Sequence, residues 1–519
     1  MNPARRPAAR ACALSPEAGS LLRAAAKHLG RPAYLVGGAL RDAFLGRPNL
    51  DLDLAAHGAR AAASRLAAAL RASFVVLDEE TGNYRLMLGA KAPVRQIDIS
   101  EIQGADITAD LGRRDFTINA LALPIAEDMP LALTPDRVLD PRSGLADLKL
   151  RLLRCESEEI LKADPLRILR AFRIAAQLDF AIEPRTQRML ERLRSRVRLP
   201  APERTAAELT QLLAVPGGSR WVRLMDETSI LTSVFEDLEA SRKCAIVYYG
   251  DGGVLSHTLN VVDRLDLLLA APDRALPDSA AGLRAELGGR LAPGHPWRAT
   301  LMLAALLHDV SKPESARRVG GRLRFFGHDT AGARRAAAIL KALRFPNDAI
   351  NTVAAVITHH LRPGNLTAGG QITDKAAYRF FRDLGEEALA LLLVCWADHA
   401  SYLPQKQLER LLPAAAADPD GFDYSDIRPA EARKTLHHLQ VIAQLMRRRF
   451  DAERKPVPDR LVDGKDVMKA LALPPGPRIG QVLEQVREAQ AEGRVRSRRQ
   501  ALDFVRALRK KAPDKLQSS

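Results

Sequence analysis

The sequence predicts an α+β fold, in which a small head with a mixed sheet is followed by domains that are all helical. Short apolar or alternating segments between residues 33 and 100 predict the strands of the head. From about residue 140, apolar residues recur at helical spacing. The composition supports this division, because Ala, Leu and Arg dominate and only 5% of the residues are aromatic. A chain of 519 residues is also too long to form a single hydrophobic core, so we expect several domains.

The strands of the head come first along the chain. Five segments are rich in β-branched or alternating apolar residues: AYLVGG, DLDLAA, SFVVLD, YRLMLG and RQIDIS, which begin at residues 33, 51, 73, 84 and 95. A helix is expected over 59–72, where the sequence reads ARAAASRLAAALRA. The segment before the head, residues 1–31, is basic but lacks a continuous apolar core. We therefore expect a flexible lead-in and not a signal peptide.

Helices follow in the rest of the chain. The segment SEEILKADPLRILRAFRIAAQLDF, at 157–180, places five apolar side chains on one broad helix face: Ile160, Leu166, Leu169, Phe172 and Ile174. Turn-rich segments near 245–253 and at 411–429 mark further boundaries. The predicted domains are the lead-in 1–31, the head 32–150, a helical neck 151–245, a third domain 246–410 and a helical basic tail 411–519.

Composition also limits the class of protein. No run of 18 apolar residues exists, so no membrane span is expected. The four cysteines lie far apart without a CxxC pair, which argues against a disulfide framework or a zinc ribbon and suits a reducing cytoplasm. The formal charge is +16, and the segment from Glu431 onward has 21 basic and 11 acidic residues. This balance favours a polyanionic partner such as nucleic acid, although Arg-rich composition also follows from a GC-rich genome.

One short segment carries the pattern of a phosphate and metal site. In DLDL, Asp51 and Asp53 share one face of a strand, and a divalent cation relieves the repulsion between two such carboxylates. Upstream, Gly37 and Gly38 let a ligand approach the backbone closely, and Arg41 is placed to bind phosphate. The alternative is a turn followed by an edge strand with its polar face in water.

A third carboxylate is expected near this pair. Asp98 lies between Ile97 and Ile99 and faces opposite to both, so it is a candidate to join Asp51 and Asp53. The alternative is an ordinary Asp that faces solvent.

These residues, with three further blocks, resemble the nucleotidyltransferases of the DNA polymerase β superfamily. The blocks are LVGGALRDAFLG with DLD, then LGRRDFTINALAL, DPRSGLADLKLRLLR and ADPLRILRAFRIAAQLDFAIEPRT. They follow the order and spacing of the bacterial tRNA nucleotidyltransferase/poly(A) polymerase family across roughly residues 33–213. The resemblance implies a polymerase β-like head and a neck that selects the nucleotide and binds RNA.

The resemblance also implies roles for individual residues. Asp51 and Asp53 match the carboxylates that bind Mg²⁺, and Asp98 joins them as a catalytic candidate on the strand pattern alone. The residues that match nucleotide-binding positions are Gly37, Gly38, Arg41, Arg114, Asp115, Asn119, Asp164, Arg167, Arg170 and Arg173. Asp164 and Arg167 are three residues apart, so on a helix they share a face that offers an acceptor and donors to a base edge. An ordinary intrahelical ion pair is the alternative.

One position departs from the family pattern. Many members carry an acidic residue directly before the Asp of this helix, where this chain has Ala163. Members of the family add the whole CCA end, only C residues, only the terminal A, or a poly(A) tail. The departure leaves the choice among these products open.

A second constellation lies in the third predicted domain. His and Asp recur there in a series that resembles the HD-domain metal-dependent phosphohydrolases. The defining ligands are matched by His257, His308, Asp309 and Asp398, and His328, His359 and His360 are further candidates. Nitrogen and oxygen ligands of this kind suit a divalent metal, here Mg²⁺, Mn²⁺ or Ni²⁺. The alternative is a helical scaffold whose histidines are core or surface residues.

Taken together, the resemblance implies a cytoplasmic enzyme with ATP and CTP as substrates. The expected reaction is template-independent transfer of nucleotides to the 3′ end of tRNA, with release of pyrophosphate. Two alternatives remain open: a poly(A) polymerase acting on RNA 3′ ends, and an HD-type phosphohydrolase whose head senses nucleotides. The basic GRVRSRR segment of the tail is a candidate contact to the RNA backbone, or a solvated charged surface.

Overall fold

The computed structural model describes residues 12–30, 32–47, 51–89, 92–291, 295–366, 371–451 and 457–511. They form two compact units. The first runs to Ala201 and includes 227–233, and the second comprises 202–226 and the chain from Val234 onward. Helices dominate, and one six-stranded mixed sheet lies in the first unit. The predicted α+β class is therefore confirmed.

Twelve strands and twenty-eight α-helices occur in the described residues. The strands are β1 Cys12–Ala13, β2 Ala33–Val36, β3 Asp51–Ala56, β4 Ser73–Asp78, β5 Asn83–Met87, β6 Gln96–Glu101, β7 Ala122–Pro124, β8 Ala132–Leu133, β9 Leu152–Leu153, β10 Ala181–Ile182, β11 Ala316–Val319 and β12 Arg322–Phe325. The helices up to the unit boundary are α1 Pro16–Leu29, α2 Gly37–Phe44, α3 Ala59–Leu70, α4 Ile107–Leu111, α5 Gly144–Leu150, α6 Glu158–Ala163, α7 Arg167–Leu178 and α8 Pro184–Arg192.

The later helices follow in chain order. They are α9 Pro202–Leu213, α10 Ser219–Glu227, α11 Ile230–Val234, α12 Asp237–Ser241, α13 Ile246–Tyr249, α14 Gly253–Ala270, α15 Pro272–Ala275, α16 Ala280–Arg290, α17 Trp297–Leu307, α18 Lys312–Ser315, α19 His328–Ala342, α20 Asn347–His359, α21 Arg362–Asn365, α22 Asp374–Leu384, α23 Glu387–Ser401, α24 Gln405–Ala415, α25 Ala432–Arg449, α26 Gly464–Leu471, α27 Pro477–Ala491 and α28 Arg498–Lys511. Short 3₁₀ turns occupy Thr117–Asn119, Pro135–Arg137, Arg194–Arg198 and Pro277–Ser279.

The sheet of the head has the strand order β4-β5-β6-β3-β2-β7. Only β3 and β6 run parallel to each other, and the other neighbours are antiparallel. Alternation along β3 and β6 buries Leu52, Leu54, Ile97 and Ile99, which are at most 1% exposed. α3 packs on β5 and β6, and α1 packs on α3. The polar residues of the same two strands therefore lie on the opposite face.

The N-terminal part of the chain differs from its prediction. α1 spans Pro16–Leu29, begins with Ser15 as an N-cap and buries Leu22 and Ala25 completely. The flexible lead-in expected over residues 1–31 is therefore wrong for Pro16–Leu29. Ala and Leu at helical spacing in this segment form a helix with a buried face, although the residues before them are basic. Residues 1–11 lie outside the described part of the chain.

The helical segment at 157–180 also differs, because it is two helices and not one. α6 ends at Ala163, and Asp164 has an extended backbone with φ −139° and ψ 97°. Pro165 explains the break, since a residue before proline is pushed out of the helical region. α7 then begins at Arg167. Asp164 and Arg167 consequently do not share the face of a single helix.

The second unit is built around buried helices. α14, α17, α20 and α23 pack against one another, and α23 is almost entirely buried from Ala388 to Ala397. A separate apolar cluster joins α26, α27 and α28 in the tail. The region expected to be helical also contains the antiparallel hairpin β11–β12, which the sequence prediction did not include. Among the described residues, no helix has the length and hydropathy that crossing a membrane requires.

Candidate active sites

The carboxylates of the head lie side by side on the polar face of the sheet. In the parallel pairing of β3 and β6, Asp53 is opposite Asp98 and Asp51 is opposite Gln96. Burial and the charge of Asp98 raise the pKa of both the Asp51 and the Asp53 carboxyl above 3.8. The three carboxylates thus repel one another, and a divalent cation bound between them relieves this repulsion. The donor set consists only of oxygens, which fits Mg²⁺ at Asp51 and Asp53.

Asp98 differs from the other two carboxylates because it has a cationic partner. Arg85 on β5 donates Nε to Oδ1 at 2.7 Å and Nη2 to Oδ2 at 2.8 Å. Such a bidentate pair holds a carboxylate in one orientation. Asp98 faces the same cleft as Asp53, as the alternation predicted, but Arg85 already neutralises part of its charge.

The glycines of the predicted phosphate turn stand directly beside the carboxylates. Gly37 has φ +67°, and a Cβ built on it would lie 3.1 Å from Asp53 Oδ2 and 3.2 Å from Arg114 Nη1. The backbone NH of Ala39, in the first turn of α2, donates to Asp53 Oδ2 over 3.4 Å. A side chain at Gly37 would therefore require Asp53 or Arg114 to move, and the turn brings the Ala39 amide next to the Asp53 carboxylate.

Two hydrogen bonds and an ion pair join α2 to α7. Arg41 donates Nη1 to Asn119 Oδ1 at 2.7 Å, and Asn119 donates Nδ2 to Asp115 Oδ1 at 2.9 Å. Arg170 Nε lies 3.1 Å from the other carboxylate oxygen of Asp115. Burial alone would raise the pKa of the Asp115 carboxyl, but Arg170 and Asn119 hold it below 3.8. Asp115 is thus an ionised, buried anchor that fixes an amide and a guanidinium at the cleft.

Most of the predicted residues of the head and neck line one cleft, and three do not. A cleft of about 1090 Å³ in the first unit is lined by Gly37, Gly38, Asp53, Asp98, Arg114, Asp115, Asn119, Asp164, Arg167 and Arg170. Arg167 also donates to the carbonyl of Ile160 at 3.0 Å, which ties the start of α7 to α6. Arg173 lies two turns further along α7 and donates to Gln177 at 2.7 Å. Asp51, Arg41 and Arg173 are not among the residues that line the cleft.

Sequence reasoning missed an ion pair at the edge of this cleft. Arg142 Nη1 lies 2.8 Å from Glu156 Oε2, and both side chains line the cleft. Arg142 lies within DPRSGLADLKLRLLR, so its block was recognised although the residue was not. Ala163 also lines the cleft and is exposed there.

The second site is a buried cluster of histidines and aspartates in the second unit. Four histidines form a hydrogen bond through Nδ1 on the side away from the cluster. The partner is a backbone carbonyl for three of them: Ala305 for His308 at 2.8 Å, Phe325 for His328 at 2.7 Å and Ile357 for His360 at 2.7 Å. For His257 the partner is the Ser401 hydroxyl at 3.1 Å. Backbone carbonyls accept hydrogen bonds, so the three rings beside them carry their proton on Nδ1. Their Nε2 atoms then remain free as metal ligands.

The four Nε2 atoms converge on two carboxylates. His257 lies 3.1 Å from Asp398 Oδ1, His308 lies 3.1 Å from Asp309 Oδ2, and His328 lies 3.5 Å from Asp309 Oδ1. His360 Nε2 is 3.9 Å from the same Asp309 oxygen and 3.2 Å from His328 Nε2. Two groups, His257 with His308 and Asp309, and Asp309 with His328 and His360, each have the spacing of a metal site.

The chemistry of this cluster fits one or two divalent metals. Four of its inward atoms are buried without a hydrogen-bond partner in the described structure: His257 Nε2, His308 Nε2, Asp309 Oδ1 and Asp398 Oδ1. Buried polar atoms without partners are costly unless a ligand satisfies them. Burial lowers the pKa of His360 to about 4, which keeps its ring in the neutral form that binds metal.

One predicted residue lies outside the cluster, and two residues that were not predicted as ligands lie against it. His359 lies outside the cluster and is half-buried, and burial together with the charge of Arg362 lowers the pKa of its ring. Lys312, three residues after Asp309, is buried and places Nζ 2.5 Å from Asp309 Oδ2 and 2.9 Å from the Tyr249 hydroxyl. Tyr249 stacks on His257 with ring centroids 4.7 Å apart. Lys312 and Tyr249 therefore form one side of the cluster.

Family models match three parts of the chain. Residues 33–154 match the Poly A polymerase head domain, residues 179–241 match a probable RNA and SrmB-binding site of polymerase A, and residues 254–403 match the HD domain. The A-adding tRNA nucleotidyltransferase of Deinococcus radiodurans is 31% identical over 491 residues, which cover 93% of this chain and 96% of the relative. This chain belongs to the tRNA nucleotidyltransferase family. The CC-adding tRNA nucleotidyltransferase of Thermus thermophilus is also 31% identical, over 92% of this chain and 93% of the relative.

Solved structures agree on the fold of this tRNA nucleotidyltransferase. The Thermotoga maritima CCA-adding enzyme complexed with tRNA has a TM-score of 0.61 at 20% identity, covering 95% of this chain and 96% of that one. The Bacillus stearothermophilus CCA-adding enzyme in complex with CTP has a TM-score of 0.57 at 20% identity, covering 96% and 98%. At this level of identity the likeness concerns the fold.

Proposed function

We propose that the head cleft transfers nucleotides from CTP or ATP to the 3′ end of tRNA, without a template strand and with release of pyrophosphate. The observation that carries this proposal is the arrangement of the cleft. A glycine turn, the carboxylates of Asp53 and Asp98 and a set of arginines meet there, and family membership supplies the class of reaction. The fold of the solved relatives, two of which were determined with CTP or with tRNA, is consistent with it.

Residues that line the cleft, and Asp51 beside them on β3, have different roles in this reaction. Asp51 and Asp53 would hold Mg²⁺, which when bound supplies the positive charge that activates the RNA 3′-hydroxyl and stabilises the triphosphate. Arg114 and the amides of the Gly37 turn neutralise phosphate charge. The hydroxyl oxygen bonds to the α-phosphorus, the bond to the bridging oxygen breaks, and pyrophosphate leaves while the hydroxyl proton is released.

Selection of the base is assigned to the segment between α6 and α7. Asp164 and Arg167 line the cleft from the break at Pro165, so they present an acceptor and donors from two different helix ends. Protein groups thereby take the place of a template base. Asp115 holds Arg170 by an ion pair and Asn119 by a hydrogen bond, and these contacts keep both groups in fixed positions beside the cleft.

We further propose that the chain adds only part of the CCA end. Relatives that match more than 90% of this chain and of their own length are named as A-adding or CC-adding enzymes. The multifunctional CCA proteins match 74% to 81% of this chain at 28% to 29% identity. The full-length correspondence with the partial enzymes supports this narrower product.

Sequencing of product 3′ ends tests both proposals. The full chain is incubated with Mg²⁺, CTP and ATP, and either tRNA lacking CCA or tRNA ending in CC. Addition that stops at CC, or addition of A to the second substrate alone, is the expected result. A complete CCA end on the first substrate would refute partial addition, and long runs of A would indicate a poly(A) polymerase instead. No incorporation on either substrate would refute the transfer function.

The histidine–aspartate cluster favours a second function, a metal-dependent phosphohydrolase. Its buried nitrogen and oxygen atoms, which converge at the spacing of a metal site, carry this proposal. When bound, a divalent metal supplies an activated water for attack on a phosphate ester. The water oxygen bonds to phosphorus, one ester bond breaks, and the leaving oxygen is protonated. Lys312 is the one buried cation beside the cluster among the described residues, and it is placed to hold a phosphate oxygen.

Hydrolysis of 2′,3′-cyclic AMP with Mg²⁺, Mn²⁺ or Ni²⁺ tests this second function. We expect metal-dependent release of adenosine monophosphate, which His308→Ala abolishes. Replacement of His359, which lies outside the cluster, is the matched control and should leave the rate unchanged. An equal loss in both variants, or a rate independent of metal, would contradict the assignment.

A further inference from the structure

A row of three charged side chains crosses the sheet of the head. In the register of β5 with β6, Arg85 is opposite Asp98, and in the register of β6 with β3, Asp98 is opposite Asp53. Residues directly opposite each other point to the same face of a sheet, so the three side chains are neighbours on its polar face. Arg85 and Asp53 therefore lie on opposite sides of Asp98.

The Asp98 carboxylate is bound to the Arg85 side of this row. Both of its oxygens accept a charge-assisted hydrogen bond from the guanidinium, one at 2.7 Å and the other at 2.8 Å. Among the described residues, Asp98 is the one of the three carboxylates of this site that has such a partner. The orientation of Asp98 is therefore set by a cation on β5, although Asp98 and Asp53 line the same cleft.

These hydrogen bonds limit which oxygens a cation obtains from the protein. To bind a cation held by Asp51 and Asp53, the Asp98 carboxylate would have to turn toward β3 and give up hydrogen bonds with Arg85. Asp51 and Asp53 bind a cation without such a loss. Mg²⁺ is usually bound through one or two carboxylates, and water and substrate oxygens occupy its other positions. Two protein ligands thus leave positions for the triphosphate and the 3′-hydroxyl, and a third ligand would occupy one of them.

We propose that Arg85 is a positioning residue, which holds Asp98 out of the coordination shell of the cation bound by Asp51 and Asp53. The cation is then bound less tightly than three carboxylates would bind it, and it keeps the open positions that the two substrates need. Asp98 acts on this site through its charge and not as a ligand. This inference rests on the proposed transfer function of the cleft.

Binding of Mn²⁺, a paramagnetic substitute for Mg²⁺, tests the proposal. The full chain is titrated with Mn²⁺, and electron paramagnetic resonance measures the unbound ion. The binding that Asp53→Asn abolishes belongs to the head, so Mn²⁺ at the histidine–aspartate cluster is not counted. In Arg85→Met, Asp98 loses its partner and is free to turn toward β3. We expect the Kd for Mn²⁺ at the head to fall about tenfold, the order of magnitude by which residues beside metal ligands change metal affinity.

A kinetic readout accompanies the binding measurement. The Mg²⁺ concentration that gives half-maximal nucleotide incorporation should fall in Arg85→Met to a similar extent. A variant whose fold is merely loosened would not need less Mg²⁺, so this shift separates positioning from a structural role. Thermal melts of each variant check that the head is folded.

Three control variants separate orientation from charge. Burial and the charge of Asp98 raise the pKa of the Asp51 carboxyl, and the charges of Arg85 and Arg95 lower it. Arg95→Met removes the second of these cations and leaves the Arg85–Asp98 pair intact. Because Arg95 is exposed and its charge is screened by salt, this variant should change the Kd by less than about twofold. Arg85→Met combined with Asp98→Asn should bind Mn²⁺ no more tightly than the wild type, since the released carboxylate is gone.

Arg85→Lys keeps the charge but replaces the guanidinium fork by a single ammonium group. It should give an intermediate gain in Mn²⁺ affinity, and it carries the test if Arg85→Met does not fold. An unchanged or higher Kd in both Arg85 variants, an equal gain in Arg95→Met, or a gain that persists with Asp98→Asn would overturn the proposal. Equal Mn²⁺ binding by Asp53→Asn and the wild type would instead refute the cation site of the proposed transfer function, and this inference with it.

Discussion

At the scale of single residues, the carboxylate pair of the head is where the proposed reaction is most sensitive. Asp51→Asn or Asp53→Asn keeps the shape of the side chain but removes the charge that would hold the cation. We expect nucleotide incorporation to fall by roughly 10³-fold, the upper range for removal of one group that stabilises a transition-state charge. Steady-state incorporation with labelled nucleotide measures the loss. Asp136→Asn, on an exposed 3₁₀ turn, is the control and should be active.

Gly37 gives a second prediction at this scale. Alanine there would have to adopt φ +67° and place Cβ 3.1 Å from Asp53 Oδ2. Strain of this kind is about 1–3 kcal/mol, and the carboxylate or the turn must move to relieve it. We expect at least a tenfold lower kcat/KM for the nucleotide, and a melting temperature that is lowered by this strain. Gly46→Ala, at a similar φ of +66° but in open space, controls for backbone strain alone. Equal losses in both variants would contradict the proposed close approach.

The adjacent residues His359 and His360 provide a matched pair for the second site. His360 points into the cluster and His359 does not. His360→Ala should lower the metal content of the purified protein, measured by mass spectrometry of the element, whereas His359→Ala should leave it at the wild-type level. The reverse result would show that the cluster is not the metal site.

Alternation along a strand was sufficient to predict that Asp51, Asp53 and Asp98 lie on one polar face. The pairing of Asp98 with Arg85 was not predictable, because it depends on the register between β5 and β6. The difference between His359 and His360 had a signal in the sequence that was not used. His360 lies seven residues after Val353 and four after Val356, so it continues the buried face of α20, whereas His359 does not.

At the scale of elements, Asp115 links the 3₁₀ turn Thr117–Asn119 to α7. Its folded-state pKa lies below 3.8, so the carboxylate stabilises the fold fully above that pH and progressively less as the pH falls through the folded pKa. Asp115→Asn should therefore lower the melting temperature at pH 7, by an amount that corresponds to about 1–2 kcal/mol, since Arg170 is partly exposed. The difference between variant and wild type should shrink below pH 4 in thermal melts. A difference that is constant across this range would contradict the role of the charge.

The elements that were predicted correctly are those with a strong local pattern. The five expected strands of the head correspond to β2 to β6, and the Ala-rich helix corresponds to α3. The hairpin β11–β12 was missed because its strands are four residues each and rich in arginine, which is not typical of strands. Gly320 and Gly321, with φ +56° and +74°, form the turn, and this pair of glycines was the available signal.

At the scale of the whole molecule, the two candidate sites belong to different compact units. Each site obtains all of its assigned side chains from its own unit. We therefore expect the two activities to be separable. Asp53→Asn should abolish nucleotide addition while metal-dependent phosphohydrolysis continues, and His308→Ala should do the opposite. Both assays are run on the same preparations, and each variant serves as the control for the other. Parallel loss of both activities in either variant would indicate a shared site.

The break at Asp164–Pro165 bears on where the sequence of the added nucleotides is encoded. A polymerase that uses a template consults a separate strand at every addition, and the strand can change. In the proposed reaction, the choice of base is made by a few side chains held between α6 and α7. The nucleotide sequence that is added is then determined by the amino-acid sequence of the enzyme, and it is the same on every acceptor. A mutation in this short segment would therefore change the added nucleotides on all products at once.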